Sequence, residues 1–267
     1  MILKQKQQHL EEILRKTEKL AIAFSGGVDS TFLLKCAHNV LKDNVLALTV
    51  LLRSVPAWER EDARRLAKDI GVRHIELELD ELAIEGFSQN PPNRCYICKK
   101  AIMGQALKTA RQNGFHLLAE GSNTDDANDY RPGALAVKEL GLLSPLKDAG
   151  LNKREIRELS KQAQLSTWDK PSYACLASRF VYGEEITRQK LKMVEAAEAY
   201  LHGLGHANVR VRMHNTMARI ELPCGELQAL ARPHTAKAVS DRLKSLGFSY
   251  VALDLAGYRT GSMNDGL

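Results

Sequence analysis

The hexapeptide Ser25-Gly26-Gly27-Val28-Asp29-Ser30 follows directly on the apolar run Leu20-Ala21-Ile22-Ala23-Phe24. It restricts the architecture of this chain more than any other segment. It reads as a strand, a tight glycine loop and the start of a helix. Two glycines permit φ > 0 and a close backbone approach to a bulky anion. The first amides of the following helix then point at that anion, and the helix dipole favours its negative charge. Ser25 and Ser30 add hydroxyl donors. Asp29 offers a carboxylate to magnesium, which on phosphates takes one or two such ligands. The string has neither the lysine nor the spacing of a G-x-x-x-x-G-K-[ST] loop.

The S-G-G-x-D-S string resembles the PP-loop of the ATP pyrophosphatases. That resemblance implies cleavage of ATP between its α- and β-phosphates, transfer of AMP to a substrate and release of pyrophosphate. The surrounding pattern agrees with a nucleotide-binding sheet. Leu20–Phe24, Val45–Leu52, His74–Leu79 and Phe115–Ala119 are short apolar runs suited to buried parallel strands. Between them, Thr31–Leu41, Ala57–Ile70 and Lys99–Asn113 have helical spacing and polar outer faces. This predicts an α/β domain with a doubly wound parallel sheet. Ligands of such sheets bind at the carboxyl ends of the strands. The glycine loop, Leu52-Arg53-Ser54 and the loop after Glu120 are therefore expected to converge on one crevice.

Residues 1–165 form the predicted PP-loop domain. Within them, Asn152 and Glu155 make an N-cap signature for a helix running to about Leu165. Residues 166–186 show little periodicity and contain Pro171, Cys175 and Gly183, which suggests a junction loop. Residues 187–267 read as a smaller α+β domain. Thr187 caps a helix through Leu201, two alternating strands follow at Asn208–Met213 and Met217–Leu222, a helix spans Thr235–Leu246, and a strand lies at Tyr250–Leu255.

Composition narrows the partners. The formal charge of +6 and a pI near 9.0 favour anions. Lysines and arginines are mostly interleaved with acidic residues, and no zinc ribbon or other RNA module is recognisable. ATP, a nucleotide substrate or RNA would each satisfy that charge, and no basic run is long enough to choose among them, although the lack of an RNA module makes a nucleic-acid partner unexpected. No apolar run approaches the ~20 residues that cross a bilayer, and the first 20 residues have a charged, helical pattern with no signal-peptide core. The expectation is a cytoplasmic protein without a membrane partner.

Five cysteines, an odd number, argue against a disulfide framework. Cys36 falls on the helix after the glycine loop and reads as a small buried apolar residue. Cys224 follows Pro223 in a turn and suggests no role. Cys95 and Cys98 form a C-x-x-C in the long loop opened by Pro91-Pro92, and Cys175 lies far off in the junction loop. Half a zinc site completed by His74, His116, His206 or His214, a redox dithiol, and ordinary thiols all remain open. Three thiolates without a fourth ligand have a more specific use: they hold a [4Fe-4S] cluster with one open iron, tuned by its surroundings. Arg94, Lys99 and Lys100 beside the pair would stabilise thiolates.

Two further groups of residues carry chemistry. Glu120 to Asp126 follows a strand and is expected to border the nucleotide, with Asp129-Tyr130-Arg131-Pro132-Gly133 closing the loop. Asx turns explain Asp125 and Asp126 equally well, whereas Asn123, Asp129 and Arg131 read as functional. In the second domain, alternation places Arg210 and Arg212 on one strand face. Two adjacent guanidiniums need an anion between them, so they read as a phosphate or carboxylate clamp, or as a solvated face paired with Arg219 and Glu221.

At this point the strings S-G-G-V-D-S, N-D-Y-R-P-G, a cysteine before S-R-F-x-Y-G, V-R-V-R-M-H-N-x-x-A-R-I-E-L-P and L-D-L-A-G-Y-R-x-G-x-M-N together resemble the LarE family over essentially the whole chain. Those enzymes are ATP-dependent sulfur transferases that mature the nickel-pincer nucleotide cofactor of lactate racemase. The resemblance implies adenylation of a carboxylate of pyridinium-3,5-biscarboxylic acid mononucleotide and its conversion to a thiocarboxylate. It assigns ATP to Ser25, Gly26, Gly27, Asp29 and Ser30. It assigns substrate phosphate to Arg210, Arg212 and Arg179, with Glu198 near a metal or phosphate site, and sulfur transfer to Cys175. Members that sacrifice their own sulfur need one cysteine. Cys95 and Cys98 in addition resemble the subgroup that holds [4Fe-4S] on three cysteines and transfers an extra sulfide. The resemblance also implies a homo-oligomer, and the physiological sulfur donor stays unnamed. The rival readings are a [4Fe-4S]-dependent tRNA-thiolating enzyme of the same superfamily and a non-catalytic nucleotide or iron-sulfur sensor.

Overall fold

The computed structural model describes residues 2–128, 133–171 and 174–259. Asp129 and Arg131 therefore lie outside the described residues. The chain forms two compact units: Met1–Asp80 with Asn93–Tyr173, and Glu81–Pro92 with Ala174–Leu267. Residues 81–92, which the sequence partition places within 1–165, fold with the second unit.

In the first unit the order is α1 (Leu3–Arg15), β1 (Leu20–Ala23), α2 (Val28–Leu41), β2 (Val45–Leu51), α3 (Ala57–Ile70) and β3 (Arg73–Glu78), then α4 (Arg94–Gln112), β4 (Leu118–Ala119), α5 (Gly133–Glu139), α6 (Pro145–Asp148) and α7 (Lys153–Gln162). The strands form a parallel sheet in the order β3-β2-β1-β4. Central strands covered on both faces must be apolar throughout. Leu20, Ile22 and Ala47 accordingly pack with α1, α2, α3 and α7 on one face, and Ala21, Leu46 and Leu48 pack with α4 on the other. The helix after the glycine loop is central, so α2 buries Phe32, Leu33, Leu34 and Cys36. Burial pushes the Cys36 thiol up to about 12, which keeps it protonated and inert.

The sequence-based boundary of α3 agrees with the structure, and Asn152 caps α7 through a capping box with Glu155. Two expectations are corrected. The run Phe115–Ala119 yields a strand only at Leu118–Ala119, because Gly114 (φ +80°) ends the preceding helix in a turn that bonds Phe115 N back to Ala110 O. The Cys95–Cys98 pair is not in a loop. It occupies the first turn of α4, which begins directly after Asn93.

The second unit contains α8 (Arg188–Gly203), β5 (Arg210–His214), β6 (Met217–Glu221), α9 (Leu227–Leu230), α10 (Pro233–Ser245) and β7 (Tyr250–Leu253). Strand β6 pairs antiparallel with β5 and parallel with β7. Thr187 caps α8 by accepting from Lys190 N. The 81–92 segment is held to this unit through Asn90. Its side chain is buried and donates to Val181 O at 2.7 Å, and its carbonyl accepts from Gly183 N at 2.9 Å. Ile186 N adds a bond to Ser88 O. Among the described residues no helix is long and apolar enough to cross a membrane.

Candidate functional site

A cavity of about 360 Å³ opens at the carboxyl ends of β1 and β2 in the first unit. One end is polar, with Ser25, Gly27, Asp29 and Ser30. The other is an apolar slot between Leu48, Val50, Ile102, Met103 and Ala106. The expected convergence is present: Leu52 and Glu120–Ser122 line the same space.

Gly26 takes φ +70°, and a Cβ there would stand 3.1 Å from Ala63 Cα, so only glycine lets the loop lie against α3. Gly27 is the N-cap of α2 and lends no side chain to it, which leaves the first amides of the helix available to an anion. Ser30 Oγ donates to Gly27 O at 3.2 Å and lies 3.2 Å from Ser25 Oγ, so the two hydroxyls brace the loop. Lys170 closes it from behind, donating to Gly26 O at 3.2 Å and to Asp62 at 3.1 Å.

Asp29 accepts from Lys153 Nζ through Oδ2, while its Oδ1 is buried without a hydrogen-bond partner among the described residues. Burial raises its pKa, with Lys153 offsetting part of the rise. Glu120 is buried and accepts from Lys99 Nζ (3.0 Å), from Ser122 N and Oγ (3.1 and 2.9 Å) and from Ser144 Oγ (2.8 Å). Burial alone would raise its carboxyl, but Lys99 and the two serines together hold it below the usual range. Asn123 does not line the cavity. Its Oδ1 accepts from Asp125 N and its backbone donates to Asp126, an Asx-type turn that places Asp126 at the cavity wall.

The second unit gathers the other predicted residues. Arg179 and Glu198 form a buried bidentate pair at 2.8 and 3.0 Å, and Glu198 also accepts from Val211 N. Arg179 reaches back to Ala174 O at 2.9 Å and so holds the chain beside Cys175. Arg212 donates to Glu221 at 3.0 Å and to Ser178 O at 2.7 Å, and Arg219 donates to the other Glu221 oxygen. Glu221 is thus the carboxylate that two adjacent arginines on β5 and β6 require. Arg210 lies over the Tyr258 ring at 5.3 Å. Arg219 also pairs with Asp254 at 3.5 Å. His202 and His214 each keep a buried ring nitrogen without a hydrogen bond among the described residues, and burial lowers both pKa values, so they are neutral near pH 7.

Cys95 is exposed, and Cys98 and Cys175 are partly exposed. Spacing i, i+3 puts Cys95 and Cys98 on one face of the first turn of α4, where the helix dipole favours thiolates. Among the described residues no three His, Cys, Asp or Glu side chains form a metal-holding group. Glu120 was expected to border the nucleotide and lines the cavity, whereas the places of Lys99 at the cavity wall, of Lys153 on Asp29 and of Lys170 behind the loop escaped the sequence reading.

A parallel sheet with this glycine loop at the amino end of α2 defines a PP-loop α/β protein of the adenine nucleotide alpha hydrolase type. A family model described as asparagine synthase matches residues 7–91. Over nearly full length the chain is 38% identical to the pyridinium-3,5-bisthiocarboxylic acid mononucleotide synthase of Lactiplantibacillus plantarum, covering 98% of this chain and 95% of that protein. It is 41% identical to an uncharacterised protein of Synechocystis sp., covering 98% of each. Likeness to a tRNA-cytidine(32) 2-sulfurtransferase of Francisella tularensis subsp. novicida is 26% over 43% of this chain and 47% of that protein. The chain belongs to the LarE family of PP-loop, ATP-using sulfur transferases.

Proposed function

We propose that this protein adenylates a carboxylate of pyridinium-3,5-biscarboxylic acid mononucleotide and replaces a carboxylate oxygen with sulfur. The observation that carries this reading is the 38% identity, across both whole chains, to a protein named for the bisthiocarboxylic product. The cavity behind Ser25–Ser30 supports it with an anion cradle joined to an apolar slot for the adenine ring. In the first step the α2 amides, Ser25 and Ser30 hold the phosphates while a carboxylate oxygen attacks the α-phosphorus. Asp29 suits magnesium, since its Oδ1 is buried and unpaired among the described residues and Asp126 lines the same wall. Bound there, magnesium would neutralise phosphate charge. Arg210 and Arg212 bind the substrate phosphate, and Arg179 with Glu198 positions the segment bearing Cys175. In the second step a sulfur nucleophile attacks the activated acyl carbon and AMP departs.

In this reading Cys95, Cys98 and Cys175 would supply the three thiolates of a [4Fe-4S] cluster, as the resemblance of the cysteine pattern implies. Such a cluster, when bound, supplies a sulfide on an iron that the protein leaves open. The test is anaerobic incubation with the biscarboxylic mononucleotide, Mg-ATP and sulfide. AMP, pyrophosphate and an oxygen-to-sulfur mass gain are expected, together with about four iron per chain that are lost in the Cys95→Ala variant. Activity without iron assigns the sulfur to Cys175 itself. Pyrophosphate release that depends on tRNA and not on the carboxylate would refute the proposal.

A further inference from the structure

Among the described residues, two basic side chains line the nucleotide cavity, Lys99 and Arg60. Lys99 is bound to Glu120. Arg60 is half-buried and has no hydrogen bond or ion pair with any described residue. Its neighbours on α3 behave in the opposite way. Arg64 and Arg65 are more exposed, yet each holds a carboxylate at 2.7 Å, Glu76 and Asp62 respectively. A guanidinium drawn out of water without a counter-ion is unfavourable unless a ligand brings one.

Position says which ligand. Arg60 and Ala63 are three residues apart and share a helix face, about 4.5 Å apart along the axis. Ala63 is the residue against which Gly26 of the loop packs. Arg60 therefore stands on the cavity wall one turn of α3 from the point where the glycine loop, the anion end of the cavity, packs on that helix. Glu59 lines the same wall, which disfavours a bare polyphosphate and suits one carried with magnesium.

We propose that Arg60 binds the β- and γ-phosphates of ATP and holds pyrophosphate as it leaves. This rests on the ATP-dependent reading above. In that step a carboxylate oxygen bonds to the α-phosphorus, and the bond from that phosphorus to the β-bridging oxygen breaks. The electron pair leaves on pyrophosphate. Arg60 transfers no proton. Its N–H groups donate to the oxygens on which charge gathers.

The test compares binding of α,β-methylene-ATP and of AMP, both with magnesium, by calorimetry on wild type, Arg60→Met and Arg60→Lys. Circular dichroism and thermal midpoints verify that the variants are folded. For Arg60→Met the triphosphate analogue should bind about tenfold to a hundredfold more weakly, the range of a hydrogen bond to a charged group. AMP affinity should stay within about twofold, and Arg60→Lys should recover part of the loss because it keeps the charge but not the bidentate fork. Equal losses for both ligands, or no loss for either, overturn the proposal while leaving the ATP-dependent reading intact. A wild-type protein that binds neither ligand refutes that reading and this inference with it.

Discussion

Glu198→Ala separates a structural from a ligand-facing role for the buried pair in the second unit. The Glu198 carboxylate accepts two bonds from Arg179 and one from Val211 N, and both side chains are almost fully covered, at 2% and 7% exposure. Its removal strands a guanidinium that has no water to turn to. Breaking one partner of such a pair costs about 3–5 kcal/mol. With a urea slope of about 2 kcal/mol per M, the unfolding midpoint falls by on the order of 2 M. Urea titration followed by far-ultraviolet circular dichroism reads this directly. Replacing both partners by methionine should recover most of the loss, since an apolar pair leaves no buried charge. The reasoning fails if Glu198→Ala keeps its midpoint within about 0.3 M yet no longer binds the substrate mononucleotide. Glu198 would then be a ligand contact and the ion pair dispensable.

The glycine loop and Glu120 give two further tests. Gly26→Ala forces a side chain into φ +70° and places Cβ 3.1 Å from backbone of α3. It should cost about 1 kcal/mol or more and weaken ATP binding, whereas Gly27→Ala, whose Cβ meets only Ser25 Oγ at 3.4 Å, should be milder. Equal effects in fluorescence-monitored ATP titrations would contradict the packing account. Glu120 has a folded pKa below its ordinary 4.5. Its contribution to stability is therefore complete above that value and is lost as pH falls through the folded pKa. Thermal midpoints measured on wild type and Glu120→Gln should converge as the solution is acidified below 4.5, and a constant gap would show that Glu120 does not titrate as argued.

The nucleotide half of the molecule was largely legible. A six-residue string after an apolar pentapeptide located the loop, and helical spacing gave α3 and the capped α7, because local propensity and burial agree there. The C-x-x-C was seen, but its place was not. Pro91-Pro92 announces a loop, and nothing in composition shows that the helix starts directly after Asn93. Asn123 was read as functional, yet its side chain closes a turn on Asp125. Composition alone does not distinguish those uses of an asparagine. The Arg179–Glu198 and Lys99–Glu120 pairs join residues 19 and 21 positions apart, and only the tertiary fold selects such partners. Alternation placed Arg210 and Arg212 on one strand face and left two readings open, an anion clamp or pairing with Arg219 and Glu221; Arg212 does pair with Glu221 of the neighbouring strand.

The detour of residues 81–92 into the second unit has a consequence for synthesis. Phe87 is 1% exposed in the finished fold, and Asn90 closes on Val181, about ninety residues further along the chain. At about 5–20 residues per second on the ribosome, the segment waits roughly 5–20 s for its partner. During that interval Asn90 and Ser88 lack the backbone partners that hold the segment in the finished fold, and nascent chains stopped before residue 180 never acquire them. The first unit, if made alone, has to be cut twice and rejoined across Asp80 and Asn93, not merely shortened at Tyr173.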